Sequence, residues 1–427
     1  MTQVSVSLWQ KSYAENLDAS DSLAKFRGEF LIPPGPDGKE CIYLTGNSLG
    51  LQPRKARQYI SEELEDWARL GVEGHMHARH PWLPYHENLT AMTARLVGAE
   101  PVEVVVMNTL TVNLHLMMVS FYQPTKERFK ILIEGGAFPS DRYAVESQIR
   151  FHGFDPAQAL VEVFPREGED TIRPEDVLTA IDREGAELAL VMLGNPNYLT
   201  GQTFDIAEIT KAGHAKGARV GFDLAHGAGN LKLSLHEWGP DFAVWCSYKY
   251  LNAGPGALSG CFVHERHSKN PTLPRFAGWW GQNKKIRFQM GPEFQVLEGA
   301  EGWQLSNPPI FQLAALRASM ELFDEAGMDA LRKKADSLTG YLEKLILDLP
   351  GDRIRIVTPK DPLKRGTQLS LKVKGNARGF QEALVRAGVI CDFREPDIIR
   401  AAPTALYNRF TDALRFAEIL KDHVQNS

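Results

Sequence analysis

The sequence predicts an α/β protein with two domains. The large domain is expected to hold a mostly parallel sheet covered by helices on both faces, and a smaller C-terminal domain is expected to be α+β. Between residues 102 and 265, short runs that are apolar on both faces alternate with helical patterns, which is typical of a parallel sheet. After about residue 305 the pattern changes to long amphipathic helices followed by short strands.

Composition excludes several classes of protein. The 427 residues are 43% hydrophobic and 24% charged, which are ordinary globular values and exclude disorder, collagen and coiled coil. Lys and Arg number 48 against 53 Asp and Glu, so the net charge of −5 offers no basis for binding nucleic acid or an anionic membrane. The four cysteines form no C-x-x-C pair, and neither a signal peptide nor a membrane span is apparent. We therefore expect a cytoplasmic protein.

The elements of the large domain follow from this pattern. The first forty-odd residues are expected to be irregular, and a first helix is predicted after Pro53, with Gly71 as its end. Because no helix fits between the last two predicted strands, one edge of the sheet can be antiparallel. The predicted strands span residues 102–107, 129–135, 160–165, 187–194, 218–225, 241–247 and 256–265. The predicted helices span residues 111–121, 140–152, 174–185 and 205–217.

The C-terminal part divides from the large domain near residue 305. Two long helices are predicted over 308–326 and 328–347, and a terminal helix from about Thr411. Between them we predict strands in RIRIVTP, QLSLKVKG and VICDF and a helix in ARGFQEALVRAG. The predicted domains are an N-terminal arm over 1–50 that packs with the small domain, a large domain over 51–305 and a small domain over 306–427.

Two neighbouring predicted strands end in residues that can do chemistry. Asp223 ends one strand, and Lys249 follows the next among polar residues and glycines. An amine at the carboxyl edge of a parallel sheet lies where open α/β folds bind ligands, and a desolvated lysine there can form a Schiff base. Pyridoxal phosphate enzymes need such a lysine together with an acid for the pyridinium nitrogen. A strand-end cap and a solvated lysine are the plainer interpretation of the same residues.

Two further segments are compatible with a cofactor site. Thr109 and Thr111 lie at the start of a predicted helix, whose free N–H groups and hydroxyls can hold a phosphate, although an ordinary N-cap threonine is the commoner interpretation of such a site in isolation. In GGAFPSD, Ser140 or Asp141 can cap a helix, and Phe138 is well placed to lie against a flat ring.

Seven ordered motifs resemble those of the kynureninase family, over nearly the whole chain from about residue 40 to about 410. They are NSLGLQP (47–53), MNTLTVNLH (107–115), AFPSDRYAVESQ (137–148), GFDLAHGAGN (221–230), WCSYKYLNAGPG (245–256), GWWG (278–281) and SNPPI (306–310). The resemblance implies the aspartate-aminotransferase-like fold of the class V group and pyridoxal 5'-phosphate as cofactor. It also implies hydrolytic Cβ–Cγ cleavage of L-kynurenine, 3-hydroxy-L-kynurenine or both, to L-alanine and anthranilate or its 3-hydroxy form, in tryptophan catabolism or NAD biosynthesis.

The resemblance also implies roles for individual residues. The residues implied in catalysis are Lys249 as Schiff-base lysine and base, Asp223 as pyridinium partner and Tyr248 in proton transfer. The implied cofactor contacts include these three with Leu110, Thr111, Phe138, Ser140, Asp141, His226, Trp279 and Asn307. The implied substrate contacts are Ser48, His75, Asn307 and Arg400. Trp279 and Asn307 match positions that the family contributes from the second subunit of a homodimer, so shared active sites are expected.

Some alternatives and one departure remain. A cysteine desulfurase or a class V aminotransferase would share the fold, Lys249 and Asp223, and a non-catalytic pyridoxal phosphate-binding protein is the alternative from another class. The histidines of HMHARH (75–80) suggest a metal, but a loop near the active site is favoured and no metal is expected. Some members of the family carry Ser where this chain has Gly194, so a hydroxyl contact to the cofactor is expected to be missing.

Overall fold

The computed structural model describes residues 8–270 and 272–425. Its N-terminal part contains α1 (Lys11–Ala19), β1 (Phe30–Leu31), β2 (Ile42–Tyr43), β3 (Gln52–Pro53), α2 (Arg54–Leu70), α3 (Gly74–His77) and α4 (Thr90–Val97). The helix predicted after Pro53 is α2, and Gly71 ends it with a positive φ of 56°. The expectation that the first forty-odd residues are irregular is wrong at α1. This short helix buries only Ala14, so its apolar pattern is weak in the sequence.

The large domain contains a seven-stranded sheet. Its elements are β4 (Val104–Met107), α5 (Leu110–Phe121), β5 (Lys130–Glu134), α6 (Pro139–Phe151), α7 (Pro156–Ala159), β6 (Leu160–Val163), α8 (Pro174–Glu184), β7 (Leu188–Gly194), α9 (Ile206–Ala215), β8 (Arg219–Asp223), α10 (Leu235–Trp238), β9 (Phe242–Cys246) and β10 (Ser259–Val263). The strand order is β4-β10-β9-β8-β7-β5-β6. Only β10 is antiparallel to its neighbours, and the other pairs are parallel. The predicted α/β class is confirmed.

The small domain contains a four-stranded antiparallel sheet of order β11-β12-β15-β14. Its elements are α11 (Ile310–Ala326), α12 (Met328–Leu347), β11 (Ile354–Ile356), β12 (Leu369–Val373), α13 (Ala377–Arg386), β13 (Val389–Ile390), β14 (Asp392–Arg394), β15 (Ile398–Ala401) and α14 (Phe410–Gln425). The predicted strand VICDF is two short strands, and β15 was not predicted because four residues between turns carry little periodicity.

The N-terminal segment lies against the small domain. Helix α1 packs on α14, β2 pairs with β13 in parallel, and the Tyr341 hydroxyl donates to the carbonyl of Leu8 at 2.8 Å. Within the part of the chain that the structure describes, no helix has the length and apolarity to cross a membrane.

A buried acid lies near the amino ends of the central strands, away from the carboxyl edge. Asp241 is fully buried, and its carboxylate accepts hydrogen bonds from His214 Nε2 at 2.8 Å, His267 Nε2 at 2.7 Å and the Val220 N–H at 2.8 Å. Burial alone would raise the pKa of Asp241, but the hydrogen bonds from the two histidines lower it well below its usual range. His214 therefore has a defined structural partner in Asp241.

We predict that Asp241 makes the fold sensitive to acid. Because its pKa is lower in the folded than in the unfolded chain, its contribution is fully present above about pH 4, the unfolded value, and is lost as the pH falls further. Asp241→Asn should therefore cost roughly 3 kcal/mol of unfolding free energy at pH 7, and less at pH 3. Urea unfolding of parent and variant at both pH values measures this. Asp352→Asn, which removes an exposed partner of Lys374, is the control, and an equal loss at both pH values would contradict the prediction.

Candidate active site

An open cleft lies at the carboxyl edge of the large sheet, where open α/β folds bind their ligands. Nine residues predicted from the sequence line it: Leu110, Thr111, Phe138, Ser140, Asp141, Asp223, His226, Tyr248 and Lys249. The other lining residues are Glu134, Gly194, Pro196, Tyr198 and Ala225. The structure therefore brings the large-domain predictions together in one place.

Lys249 is held in a tight turn that follows β9. The N–H of Asn252 donates to the carbonyl of Lys249 at 3.0 Å, and Asn252 adopts a φ of 53°, a left-handed conformation that asparagine tolerates. The Lys249 ammonium lies 3.0 Å from His226 Nε2 and 5.7 Å from the centre of the Phe138 ring. Burial, and then the charge of Lys249, lower the pKa of His226 well below its usual range. His226 is therefore neutral, and its Nε2 can accept a hydrogen bond from Lys249 Nζ.

Asp223 and Asp141 form a buried pair of acids opposite Lys249. Asp223 ends β8 and accepts the N–H of Ala225 at 2.6 Å. Burial raises the pKa of Asp141 well above its usual range, and the charge of Asp223 raises it further. Asp141 is therefore the protonated member and can donate to Asp223. Its Oδ1 atom is buried and has no protein partner within the described residues.

The start of α5 forms the other end of the cleft. Thr109 is the N-cap but makes no side-chain capping bond, so the first N–H groups of the helix are free of that partner. The Thr111 and Ser140 hydroxyls lie 2.9 Å apart at the same end. N–H groups at a helix start together with two hydroxyls are the donors that a phosphate prefers.

These residues fit pyridoxal phosphate. Lys249 could supply the amine for its aldehyde, Asp223 the acceptor for its ring nitrogen, and the start of α5 the donors for its phosphate. The Phe138 ring is 41% exposed and contacts Tyr198 edge-on at 5.2 Å, so one of its faces can stack on the cofactor ring. Asp141 Oδ1 is buried without a protein partner within the described residues, which is consistent with a hydrogen bond from a bound ligand at this position.

Glu134 is a member of the site that the sequence interpretation missed. It ends β5 and is 2% exposed, and the N–H of Gly194 lies 3.2 and 3.0 Å from its two carboxyl oxygens. Burial raises the pKa of Glu134 to about 8. A Cβ atom at Gly194 would lie 2.7 Å from Glu134 Oε1, so glycine gives this carboxyl its room. The loss of a hydroxyl contact to the cofactor at Gly194 stays a prediction.

Five predicted residues do not line the cleft, namely Ser48, His75, Trp279, Asn307 and Arg400. The loop of Ser48 packs on the lysine turn, because the N–H of Gly50 donates to the carbonyl of Tyr248 at 2.8 Å. His75 contacts Trp82 edge-on at 5.5 Å, and its Nδ1 is buried without a protein partner among the described residues. Trp279 and Asn307 are exposed and do not line the cleft of their own chain.

Arg400 lies behind the cleft in the small domain. It is fully buried on β15, and its Nε donates to Asp392 Oδ1 at 2.6 Å. Its Nη1 donates at 2.7 Å to the carbonyl of Tyr198, a residue that lines the cleft. The Arg400 side chain thus contacts a residue of the cleft wall without lining the cleft itself.

Two groups of side chains outside the cleft have the composition of metal ligands within the described residues. They are Glu103 with His236 and His264, and His86 with Glu87 and Glu301. Glu103 already accepts the N–H of Glu265 at 2.8 Å, and Lys284 lies 2.6 Å from Glu301, so protein donors already serve both carboxylates. None of the histidines of HMHARH belongs to either group.

We predict that Glu134 makes the cofactor-free protein less stable as the pH rises. Its folded pKa of about 8 is raised above the unfolded value of about 4.3. Between about pH 4.3 and about pH 8, Glu134 therefore ionises only in the unfolded chain, and this ionisation stabilises the unfolded state. The unfolding free energy of the parent, minus that of Glu134→Gln, should therefore fall from pH 5 to pH 8. Urea unfolding at the two pH values measures the difference, with the exposed Glu382→Gln as control. A difference that is constant with pH would show that Glu134 is ionised throughout.

Comparison with known proteins identifies the family. The chain is 68% identical over 415 residues to the kynureninase of Myxococcus xanthus, covering 97% of each chain. It is 60% identical over 408 residues to the kynureninase of Koribacter versatilis, covering 96% of each. The sequence model of the kynureninase C-terminal domain matches residues 331–420.

Solved structures of lower identity share the fold. A PLP-linked structure of C-DES has a TM-score of 0.76 at 18% identity and covers 92% of this chain and 98% of its own. The cysteine desulfurase of Thermococcus onnurineus has a TM-score of 0.76 at 15% identity and covers 95% and 98%. These structures support the fold alone, whereas the full-length relatives decide the family. The chain belongs to the kynureninase family.

Proposed function

We propose that this protein is a pyridoxal phosphate-dependent hydrolase of the kynureninase type. It cleaves the Cβ–Cγ bond of L-kynurenine or 3-hydroxy-L-kynurenine with water, giving anthranilate or 3-hydroxyanthranilate and L-alanine. The observation that carries this proposal is the convergence of Lys249, the Asp223–Asp141 pair and the start of α5 on one cleft, in a chain 68% identical to a kynureninase.

Lys249 and Asp223 account for the first part of the reaction. When bound, pyridoxal phosphate supplies an electron sink for charge that develops on the substrate carbons. Lys249 would hold the cofactor through its aldehyde, and its amine would move the proton at the substrate Cα; neutral His226 accepts a hydrogen bond from Lys249 Nζ at 3.0 Å. Asp223 holds the proton on the cofactor ring nitrogen, and protonated Asp141 holds Asp223 in place.

Tyr248 and the cleft wall account for the cleavage. Burial raises the pKa of Tyr248, so its phenol keeps its proton at neutral pH and can donate it to the substrate Cβ after the bond breaks. Water adds to the acyl carbon, which leaves as the carboxylate of anthranilate, and Cβ gains the proton that completes alanine. Phe138 and Tyr198 cover one side of the cleft and limit the access of water there.

Arg400, Ser48 and His75 are the proposed substrate contacts. A guanidinium can hold the α-carboxylate of the substrate at two points. His75 and Asn307 resemble positions of members that favour the hydroxylated substrate, and both side chains can hydrogen-bond to a phenol. On this basis we predict that the enzyme prefers 3-hydroxykynurenine.

A homodimer with shared sites completes the proposal. The described part of one chain leaves large apolar side chains at its surface, among them Trp67 at 57% and Trp279 at 41% exposure. Trp67 contacts Phe311, which lines an open groove together with Leu31 and other apolar residues. A second copy would cover this surface and bring Trp279 and Asn307 to the cleft of its partner. Four buried, free cysteines favour the cytoplasm.

A cysteine desulfurase is the weaker candidate. Its catalysis needs a reactive, accessible thiol, whereas all four cysteines are buried. Burial raises the pKa of Cys246, the cysteine nearest to Lys249, which keeps its thiol protonated.

Lys249→Ala should abolish the release of anthranilate from kynurenine. The variant loses both the cofactor anchor and the proton carrier, so we expect a fall in kcat of roughly a thousandfold or more. Anthranilate fluorescence measures the rate, and Lys211→Ala, an exposed lysine of α9, is the control. A Lys249→Ala enzyme that keeps a tenth of the parent rate would contradict the assignment of Lys249 as cofactor anchor and proton carrier.

Mixed dimers should recover activity that two inactive variants lack. If Asn307 serves the partner's cleft, coexpressed Lys249→Ala and Asn307→Ala chains form a dimer in which one site carries both changes and the other carries neither. The purified mixed dimer should therefore cleave kynurenine, while each variant alone does not. No recovery in a mixed dimer of verified composition would mean that each chain completes its own site.

A further inference from the structure

Asp392 faces Arg400 across the small sheet. The two residues are paired in register on β14 and β15. Arg400 Nε donates to Asp392 Oδ1 at 2.6 Å, and Arg400 Nη2 donates to Asp392 Oδ2. This two-point contact uses the Nε side of the guanidinium, and Arg400 is fully buried.

The hydrogen-bond donors of Arg400 can be counted. A guanidinium has five N–H groups, and Asp392 takes two of them. The carbonyl of Tyr198 takes a third, from Nη1 at 2.7 Å. One N–H therefore remains on each of Nη1 and Nη2. Two donors on adjacent nitrogens match the two oxygens of a carboxylate.

The positive charges of Arg400 and its neighbour Arg394 act on His226, which lines the cleft. After burial and Lys249, the charges of Arg400 and Arg394 are the next causes that lower the pKa of His226. Arg394 Nη2 also donates to Asp392 Oδ2, at 3.2 Å. Asp392 thus neutralises one of two guanidinium charges and leaves a net positive charge behind the cleft.

We propose that Asp392 is a positioning residue, which fixes the Arg400 guanidinium so that its two remaining donors meet the α-carboxylate of the substrate. This inference rests on the proposed function, in which Arg400 binds that carboxylate. Asp392 has two opposing effects on a bound carboxylate. It orients the donors of Arg400, and as an anion it repels the ligand. Because Arg400 is buried and its unpaired N–H groups would be costly, orientation outweighs repulsion.

The test is Asp392→Asn in the cofactor-loaded enzyme. The variant keeps the shape of the side chain but loses the charge and one acceptor. We expect KM for kynurenine to rise about tenfold while kcat changes less than about twofold. The control is Asp352→Asn, which removes an exposed ion pair with Lys374 in the same domain. An unchanged or lower KM in Asp392→Asn would overturn the inference.

The ratio of the dissociation constants for L-alanine and L-alaninamide tests the role of Asp392 independently of turnover. The parent should bind L-alanine more tightly than L-alaninamide, which lacks the carboxylate, and Asp392→Asn should lose most of this discrimination. A ratio of two dissociation constants does not depend on the fraction of folded protein. A parent that binds alanine with discrimination but does not cleave kynurenine overturns the proposed function, whereas an Asp392→Asn enzyme with parental discrimination overturns the role of Asp392.

A double-mutant cycle separates positioning from a general structural effect. In an Arg400→Lys background, adding Asp392→Asn should change the alanine to alaninamide ratio less than twofold, because Asp392 acts through the guanidinium. Equal effects of Asp392→Asn in the two backgrounds would overturn the inference.

Discussion

The chemistry of this protein depends on three buried carboxyl groups that face one lysine. Glu134, Asp141 and Asp223 line the same cleft as Lys249. Three buried carboxylates cannot all be ionised beside a single positive charge, so protons must stay on some of them. Burial raises the pKa of all three carboxyl groups, but for Asp223 the charge of Lys249 is the next cause and lowers its pKa, whereas for Asp141 Lys249 is a minor cause. Asp223 is therefore the carboxylate that can face a cationic ring nitrogen.

The parallel sheet brings these groups together. Neighbouring parallel strands end at one edge, and the register pairs Gly194 with Asp223, while β5 beside them ends in Glu134. Lys249 arrives by the turn after β9, the next strand in the sheet. The same edge receives the start of α5, so acids and phosphate donors occupy opposite ends of one cleft.

The sequence predicts the parts of this arrangement that repeat a pattern. The seven strands of the large sheet are recognisable because they are apolar on both faces, and Asp223 and Lys249 because they follow such strands. Glu134 was missed, although it ends the predicted strand FKILIEG, because a charged residue at a strand end is usually solvated. The pairing of Asp392 with Arg400 depends on the register of short strands, which local pattern does not encode.

Asn230 connects the small domain with the part of the large domain that holds His226 beside Lys249. Asn230 Nδ2 donates to the carbonyl of His226 at 2.8 Å, and Asn230 Oδ1 accepts the N–H of Thr367 at 3.0 Å, just before β12. Strand β12 pairs with β15, the strand that carries Arg400. A shift of the small sheet would therefore pull on the backbone of His226, whose ring accepts from Lys249. Because both hydrogen bonds of Asn230 are buried, they hold the strand pair that carries Arg400 in a fixed position relative to His226 and Lys249.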